Sequence, residues 1–307
     1  MAGAMMERVA RSRILGKSPL GAYLRLNEWI WNRLPRSLRS LRPIHSYGRF
    51  LHWLVRLQSR QMYLGTFFLR NRPELELIRR LSIAMGAGAR PVRTAVVGCS
   101  NGAEVYSIAW AVRSTRPTLK LIVHAVDASA EVLGCAREGV YSLGVSDLVR
   151  ESILDRMTAE EMREMFDQVE GRLRIKPWIK EGITWHLGDA GDPQLVDALG
   201  PQDIVVANRF LCHMAPPDAE RCLRNIARLV VPGGYLFVSG IDLDVRTKVA
   251  NDLGWKPLRE LMEDIHDGDP SLTTVWPCKY WALEPVNRRR HDWEVRYASV
   301  FQLGEGT

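Results

Sequence analysis

Length and composition leave room for one domain core. The chain has 307 residues, 46% of them apolar, which is enough to bury one α/β domain of ordinary size together with an appended segment. No run of residues approaches the roughly 18 consecutive apolar side chains of a membrane span. The five cysteines show no C-x-x-C spacing, which indicates neither a disulfide framework nor a zinc site. We therefore expect a cytoplasmic protein that holds no metal.

The formal net charge of +7 comes from the N-terminal region. Residues 1–60 carry 12 Lys and Arg against 2 Asp and Glu, whereas the rest of the chain carries 30 against 33. Two amphipathic helices are predicted in this region. One ends before Pro35, and the other, over residues 49–62, has a basic face of Arg49, His52, Arg56 and Arg60 opposite Leu51, Leu54, Val55 and Met62. The apolar stripe of the first helix is Tyr23, Leu26, Ile30 and Leu34, with Trp29 and Trp31 beside it.

This basic helical extension, residues 1–60, has two open interpretations. One is that its arginines bind an anionic surface, such as a membrane, a nucleic acid or an acidic partner protein, which would make the protein peripheral at the membrane in the first case. The other is that both helices pack on the main domain, residues 61–307, and that the arginines form a solvated face.

The most informative segment joins a strand to a helix through a glycine-bent turn. Thr94–Val97 is an apolar run, and residues 98–107 read Gly-Cys-Ser-Asn-Gly-Ala-Glu-Val-Tyr-Ser. Gly98 and Gly102 lack a Cβ, which allows a sharp turn and a close approach to a ligand. The Rossmann dinucleotide fingerprint needs G-x-G-x-x-G, whereas Ser100 replaces its second glycine here. The segment therefore predicts a nucleotide-type ligand and weakens the case for nicotinamide or flavin.

Further apolar runs end in polar residues that suit such a ligand. The runs are Leu121–Val126 before Asp127, Gly182–His186 before Gly188-Asp189-Ala190, and Asp203–Ala207 before Asn208. Asp127, a carboxylate at the end of the second strand, is placed to accept hydrogen bonds from two ribose hydroxyls. Asp189 can accept a hydrogen bond from the exocyclic amine of adenine. With a helix at about 218–230 and a fifth strand over Tyr235–Ser239, the pattern predicts an α/β, doubly wound sheet that binds its ligand at the strand carboxyl ends.

Two segments fall outside this alternation. A small insertion at about 142–181 combines a helix over 158–166, with Thr158 and Glu161 spaced as a capping box, and a strand or hairpin over 172–178. Near the C-terminus, residues 280–283 and 294–301 are predicted as a final antiparallel strand pair, and the tryptophans around them as core residues.

Several segments in the same order resemble a known family. They are Thr66–Arg70 (Thr-Phe-Phe-Leu-Arg), Gly98–Ile108, Glu131–Tyr141, and Leu236-Phe237 after Pro232-Gly233-Gly234. Over roughly residues 60–245 the chain resembles the S-adenosylmethionine-dependent methyltransferases, and within them the CheR-type group that methylates chemoreceptor glutamates. The resemblance implies a Rossmann-like sheet that is mostly parallel with an antiparallel last strand, and a small helical domain at the N-terminus.

The resemblance also implies roles for individual residues. Thr66 and Arg70 would lie over the methionyl end of S-adenosylmethionine, and Glu104 would sit by its amino group. Asp127 would bind the ribose and Asp189 the adenine. The other implied cofactor contacts are Gly98, Ser100, Gly102, Ala190 and Asn208.

The chain departs from the family's pattern at three places. Leu64 and Asp189 stand where the family usually has asparagines. After the fourth strand the family reads roughly Cys-Arg-Asn, three hydrophobic residues and Tyr-Phe, whereas residues 207–214 read Ala-Asn-Arg-Phe-Leu-Cys-His-Met. His213 thus replaces the tyrosine that would face the methyl group. The predicted catalytic residues are Arg70 and His213.

Three functions remain open on these grounds. The favoured one is methyl transfer to an oxygen acceptor, in particular a carboxylate, which is ionised at neutral pH, needs no base and can be oriented by Arg70. The second is a small-molecule O- or N-methyltransferase that uses His213 as its base, because histidine titrates near neutrality. The third is a non-catalytic protein that binds S-adenosylmethionine or its product S-adenosylhomocysteine as a signal. The expected partner is accordingly a protein carboxylate or a small-molecule acceptor.

Overall fold

The computed structural model describes residues 19–39, 41–56, 66–88, 90–143, 152–269, 276–278 and 282–304. The predicted domain boundary between residues 60 and 61 lies outside the described residues, and so does Leu64. The same holds for Arg60, Met62, Tyr280 and Trp281 among the residues assigned to predicted elements.

Ten strands within the described residues form two sheets. The strands are β1 Val92–Val97, β2 Leu121–Asp127, β3 Val140–Ser142, β4 Phe166–Val169, β5 Arg172–Ile175, β6 Ile183–Leu187, β7 Gln202–Val206, β8 Val230–Phe237, β9 Lys256–Pro257 and β10 Val300–Gln302. Seven of them pair in the order β6-β2-β1-β7-β8-β10-β9, and the other three in the order β3-β5-β4. The large sheet is parallel from β6 to β8, whereas β10 runs antiparallel to both of its neighbours.

Helices precede the large sheet and connect its strands. In the described residues they are α1 Pro19–Arg33, α2 Arg36–Arg39, α3 Arg42–Arg56, α4 Arg72–Met85, α5 Ala103–Thr115, α6 Ala130–Glu138, α7 Ala159–Met165, α8 Pro177–Lys180, α9 Gln194–Leu199, α10 Pro216–Ala227, α11 Leu243–Asp252, α12 Met262–His266 and α13 Trp293–Tyr297. A 3₁₀ turn, Leu211–His213, lies between β7 and α10. None of these helices is long and apolar enough to cross a bilayer.

The predicted doubly wound α/β sheet, mostly parallel with an antiparallel last strand, is confirmed. Its central strands β1 and β7 are buried along almost their whole length because both of their faces are covered by helices. Val97 of β1 pairs in register with Val126 of β2, and β7 flanks β1 on the other side. The chain therefore leaves these three strands at one edge of the sheet, which brings Gly98, Asp127 and Asn208 together.

The insertion forms the small antiparallel sheet, as its alternating pattern predicts. Thr158 and Glu161 make the predicted capping box at the start of α7, with each side chain bonded to the other residue's backbone N–H. Phe166 of β4 packs edge-on against Phe68, with ring centroids 5.1 Å apart. Tyr141 of β3 makes the same type of contact with Phe68, also at 5.1 Å. The insertion thereby holds the segment that leads to Arg70.

The predicted final strand pair is wrong. The described part of residues 280–283 is not a strand, and residues 294–297 belong to the helix α13, so that only residues 300–301 of the second predicted strand are in a strand, β10. The reason is a buried polar cluster: Arg296 of α13 lies 2.7 Å from the Glu284 carboxylate, to which the Tyr297 hydroxyl donates at 2.8 Å. The pairing partners of β10 are β8 and the short strand β9.

Helix α1 is turned differently from the prediction. On α1 the buried residues are Leu24, Asn27 and Trp31, whereas the predicted stripe is largely exposed. Trp31 sets this rotation because it packs edge-on against Trp276, with ring centroids 5.4 Å apart. Trp276 is buried, as predicted for the C-terminal tryptophans.

Helix α3 begins earlier than predicted and buries one side. Leu51, Leu54 and Val55 are buried in one cluster with Leu24 of α1, as their spacing indicates. His52, which the prediction placed on the basic face, is also buried. It lies between α3 and Trp276, with ring centroids 6.3 Å apart.

Candidate functional site

The turn after β1 bends at two glycines, as predicted. Neighbouring aromatic rings leave no room for a side chain at either position. Gly98 and Gly102 adopt φ of +73° and +85°. A Cβ on Gly98 would lie 2.5 Å from the ring of Phe210, and one on Gly102 would lie 2.9 Å from Trp185. Ser100 between them also has a positive φ, +49°. The turn is therefore held tightly between the ends of the neighbouring strands and opens into the N-terminus of α5.

Asp127 ties this turn to the end of β2. Its Oδ2 accepts the backbone N–H of Ser100 at 2.8 Å, and its Oδ1 accepts that of Ser129 at 3.0 Å. A carboxylate has about four acceptor positions, so two are left for other donors. The carbonyl of Asp127 accepts the N–H of Gly188 at 3.0 Å, which brings the end of β6 alongside.

The residues predicted to contact adenine, Asp189 and Ala190, come directly after Gly188 in the chain. Asp189 is exposed, and its Oδ1 accepts the N–H of Gly191 at 2.8 Å. Ala190 is buried, and its carbonyl accepts the side-chain amide of Asn225 at 2.8 Å. The structure thus places Asp127, Asp189 and Ala190 on adjacent strand ends.

Asn208 joins two carboxyl groups behind this edge. Its Nδ2 donates to Oε1 of Glu74 at 2.6 Å and to Oε1 of Glu104 at 2.8 Å. Its Oδ1 accepts both the backbone N–H of Ser239 at 3.0 Å and the Ser239 hydroxyl at 2.8 Å. Every donor and acceptor position of the amide is therefore used.

Burial raises the pKa of both carboxyl groups. Burial and then the nearby Glu104 carboxylate raise the pKa of Glu74 to about 8, against the opposing effects of Arg209, Asn208 and Arg70. Burial also raises the pKa of Glu104, which the hydrogen bond from Asn208 and the two arginines oppose. The second oxygen of Glu74, Oε2, is buried without a hydrogen-bond partner in the described structure. Together they form a site that a cation would stabilise.

Sequence reasoning missed Glu74 because its position has an ordinary explanation. It lies three residues after the helix cap Asn71, whose Oδ1 accepts the Glu74 N–H at 3.3 Å. An acidic residue in the first turn after such a cap is a common helix start and needs no other role. The signal that identifies it, burial beside Glu104, exists only in the folded chain.

Arg70 belongs to a cluster of arginines around a buried aspartate. The carboxylate of Asp269 lies 2.8 Å from Arg156 Nη2, 3.6 Å from Arg70 Nε and 3.5 Å from Arg209 Nη1. Arg156 also donates to the Arg70 carbonyl at 2.8 Å, and its guanidinium lies 4.4 Å from the centre of the Phe67 ring. Arg156, Arg209 and Asp269 had no signal in the sequence, because the three residues lie in distant segments.

The remaining predicted residues lie on the same side of the sheet. Thr66 is buried at the start of the segment that ends in Arg70, and Leu69 of this segment donates its N–H to the Ser107 hydroxyl at 3.0 Å. The segment is thus docked on α5. His213 ends the 3₁₀ turn that follows Arg209, and its N–H donates to the Phe210 carbonyl at 3.1 Å.

A large cavity lies away from this edge, and the described residues hold no metal-binding cluster. A cavity of about 810 Å³, lined by Arg113, Leu121 and Gly182 among others, lies where β2 begins and therefore at the opposite edge of the sheet. Among the described residues, no group of three or more His, Cys, Asp or Glu side chains is arranged to hold a metal ion.

The fold and the site define a class: a Rossmann-like α/β domain whose strand carboxyl ends gather acidic residues around a glycine-bent turn. The model of the CheR methyltransferase SAM-binding domain matches residues 65–243, which is more than half of the chain. The chain belongs to the CheR methyltransferase family. Its matched part is an S-adenosylmethionine-dependent methyltransferase domain, and S-adenosylmethionine is the cofactor.

Proteins of similar sequence include three with informative names. Chemotaxis protein methyltransferase 1 of Vibrio cholerae is 27% identical over 179 residues, covering 56% of this chain and 62% of that protein. Chemotaxis protein methyltransferase 2 of Pseudomonas aeruginosa is 26% identical over 226 residues, covering 68% and 75%. The probable biofilm formation methyltransferase WspC of Pseudomonas putida is 25% identical over 222 residues, covering 70% and 49%. The chain thus spans about three fifths of the Vibrio protein.

Among solved structures, the magnesium protoporphyrin IX methyltransferase of Synechocystis with bound SAM is similar at a TM-score of 0.34 and 16% sequence identity. The alignment covers 69% of this chain and 82% of that one.

The position of Asp127 generates a prediction for cofactor binding. Replacing Asp127 with Asn should weaken the binding of S-adenosylmethionine by about 1.5–3 kcal/mol, because hydrogen bonds to a charged acceptor are lost. Calorimetric titration measures the affinity, and an unchanged melting temperature would show that the turn is intact. Asp167→Asn, an exposed position on β4, is the matched control and should bind as the parent does. Unchanged affinity of the Asp127 variant would refute the ribose assignment.

Proposed function

We propose that the protein transfers the methyl group of S-adenosylmethionine to a carboxylate oxygen, and that the acceptor carboxylate belongs to a protein. The observation that carries the proposal is the placement of Arg70. Its segment is docked on α5, its guanidinium is close enough to Glu74 and Glu104 to oppose the rise of their pKa values, and its Nε lies 3.6 Å from the Asp269 carboxylate. The names of the Vibrio and Pseudomonas relatives, chemotaxis protein methyltransferases, support a protein acceptor.

In this proposal each strand end binds a different part of the cofactor. Asp127 binds the ribose, and the segment of Asp189 and Ala190 borders the adenine. The turn from Gly98 through Ser100 to Gly102 supports the centre of the molecule. Thr66 and Asn208 complete the contacts at the methionyl end, with Asn208 acting through the two glutamates that it bridges.

We infer that Glu74 and Glu104 together receive the α-ammonium group. One carboxylate is enough to pair with one ammonium charge, but here two are held by the same amide nitrogen. The unsatisfied Oε2 of Glu74 supplies an acceptor that this nitrogen does not use. A bound cation would favour the ionised form of both groups and lower their raised pKa values.

The chemistry requires little of the protein beyond position. The bound cofactor supplies an activated methyl group: its carbon–sulfur bond breaks as the bond to the acceptor oxygen forms, and the sulfonium becomes a neutral thioether. An acceptor carboxylate is already ionised at neutral pH, so no residue has to remove a proton. Arg70 orients the acceptor by a charge-assisted hydrogen bond, and alignment of this kind can account for several kcal/mol of the barrier.

A second candidate function is a methyltransferase for small molecules with His213 as general base. The observation that favours it is the place of His213, which ends the turn directly after Arg209 on the side of the sheet where Asn208 bridges the two glutamates. A hydroxyl, phenol or amine acceptor would need such a base, whereas a carboxylate would not. The non-catalytic alternative has less support, because the family and the three relatives named above are all described as methyltransferases.

The stability of the product tests the carboxylate proposal directly. When the protein is supplied with methyl-labelled cofactor and its natural acceptor, the transferred label should be released as methanol by mild alkali, because methyl esters hydrolyse under those conditions. Methyl ethers and methylamines survive the same treatment. A labelled product that is stable to alkali would exclude the carboxylate.

The substitution His213→Phe separates the two candidate functions. It keeps an aromatic side chain but removes the proton acceptor, so a carboxylate-specific enzyme should keep kcat within a few-fold of the parent value. Loss of a general base typically lowers rates about 10²–10⁴-fold. His291→Phe, at an exposed turn, is the matched control. A loss of that size in the His213 variant alone, with affinity for the cofactor retained, would favour the small-molecule function.

A further inference from the structure

The exposed apolar side chains of this protein are concentrated on the N-terminal helices. Twelve large apolar side chains in the described residues are exposed, and nine of them lie between residues 23 and 53. The nine are Tyr23, Leu26, Trp29, Ile30, Leu38, Leu41, Tyr47, Phe50 and Trp53. Single exposed apolar residues are ordinary, but a concentration of this kind indicates an interaction surface.

Four of these side chains form a continuous row, the aromatic ladder, which consists of Tyr23, Tyr47, Phe50 and Trp53. The hydroxyls of Tyr23 and Tyr47 are 2.7 Å apart, which joins α1 to α3. Ring centroids are 6.3 Å apart for Tyr47 and Phe50 and 6.0 Å apart for Phe50 and Trp53. Each ring is between 39% and 41% exposed. The row is therefore partly exposed from Tyr23 on α1 to Trp53 on α3, and at its far end Phe50 and Trp53 also border a cleft beside Leu243 and Arg296.

Helix α1 adds three exposed apolar side chains beside the aromatic ladder. Leu26 and Ile30 follow Tyr23 at helical spacings of three and seven residues and are 58% and 43% exposed. Trp29 is 55% exposed, and the guanidinium of Arg33 lies 3.8 Å from the centre of its ring. Aliphatic, aromatic and cationic groups are thus interspersed on the same helices.

The charge of these helices selects the partner. Residues 19–56 contain seven arginines and one glutamate. Tryptophan and tyrosine prefer the headgroup region of a bilayer, and arginine is attracted to anionic headgroups. Helices that lie on membranes combine these residues with leucine and phenylalanine in the same way. An acidic protein surface would suit the arginines but not nine exposed apolar side chains.

We propose that the exposed face of α1 and α3, formed by the aromatic ladder with Leu26, Trp29 and Ile30, docks on an anionic lipid bilayer. The opposite side of these helices attaches them to the rest of the protein. Trp276 stacks on His45 with ring centroids 5.7 Å apart, and a Cβ on Gly48 would lie 2.6 Å from its ring. Docking would therefore hold the methyltransferase domain at the membrane surface.

Sedimentation of the 307-residue chain with lipid vesicles tests this proposal. The parent should bind vesicles of phosphatidylcholine and phosphatidylserine in a 3:1 mixture, bind pure phosphatidylcholine vesicles at least about tenfold more weakly, and lose binding in high salt, because salt screens exposed charges. The triple variant L26S/W29S/F50S should partition onto the mixed vesicles at least about tenfold more weakly, because three apolar side chains no longer enter the interface.

The body of the protein offers a matched control. L143S/V169S/L187S removes the three exposed large apolar residues of the described chain outside the N-terminal helices and should leave vesicle binding unchanged. Should the first triple variant fail to fold, as judged by circular dichroism, the single substitution Trp29→Ser replaces it, with an expected loss of about threefold.

Other results would overturn the proposal. These are no binding of the parent to the mixed vesicles, equal binding to both vesicle types, or equal losses in the two triple variants. Binding to soluble polyglutamate as tight as to the mixed vesicles would assign the face to an acidic protein instead. A parent protein that is dimeric by light scattering, with L26S/W29S/F50S monomeric, would assign it to a second copy of the chain.

Discussion

The site depends on one amide group held between two buried carboxyl groups. Asn208 donates one hydrogen bond to Glu74 and another to Glu104, and its oxygen receives two from Ser239. These contacts join the first turns of α4 and α5 to the ends of β7 and β8. Burying two carboxyl groups so close together is unfavourable without a partner, and burial raises the pKa of both. The arrangement is therefore poised to accept a positive charge.

The other parts of the edge are organised around the same charges. Asp127 fixes the turn in front of α5, so that Glu104 in the first turn of this helix lies at a defined place. Asp269 lies within 3.6 Å of Arg70, Arg156 and Arg209. Two of these arginines, Arg70 and Arg209, oppose the rise in the pKa of Glu74 and Glu104. Acidic and basic groups are thus separated across a short distance. This polarity suits a cofactor with an ammonium group and an acceptor with a carboxylate.

The sequence was sufficient for the sheet and for the residues at its strand ends. Buried parallel strands have mainly apolar sequences, and ligands bind at the carboxyl ends of such strands. For this reason β1, β2 and the position of Asp127 at the end of β2 could be predicted. Contacts between distant segments leave no such local pattern. Glu74 resembled a helix-start residue, and Arg70 and Asp269 are 199 residues apart in the chain.

The same reason accounts for the errors at the two ends of the chain. Helix α13 follows from the contact of Arg296 and Tyr297 with Glu284, and the rotation of α1 follows from the packing of Trp31 on Trp276. Neither contact is visible in local periodicity, which alone favoured a strand in the first case and a different buried stripe in the second. On α1, apolar periodicity marked an exposed face rather than a buried one.

The proton balance of cofactor binding tests the central claim, that Glu74 and Glu104 form the ammonium site. With a pKa of about 8, Glu74 is protonated in the free protein at pH 7, and pairing with an ammonium group would ionise it. Binding should therefore release about one proton per cofactor at pH 7, and affinity should rise with pH until about pH 8. Calorimetric titration of S-adenosylmethionine in buffers of different ionisation enthalpy measures this number. We expect the release to be lost in Glu74→Gln and retained in Glu76→Gln, the partly exposed neighbour on α4. Binding without proton release in the parent, or an equal release in Glu74→Gln, would contradict the claim.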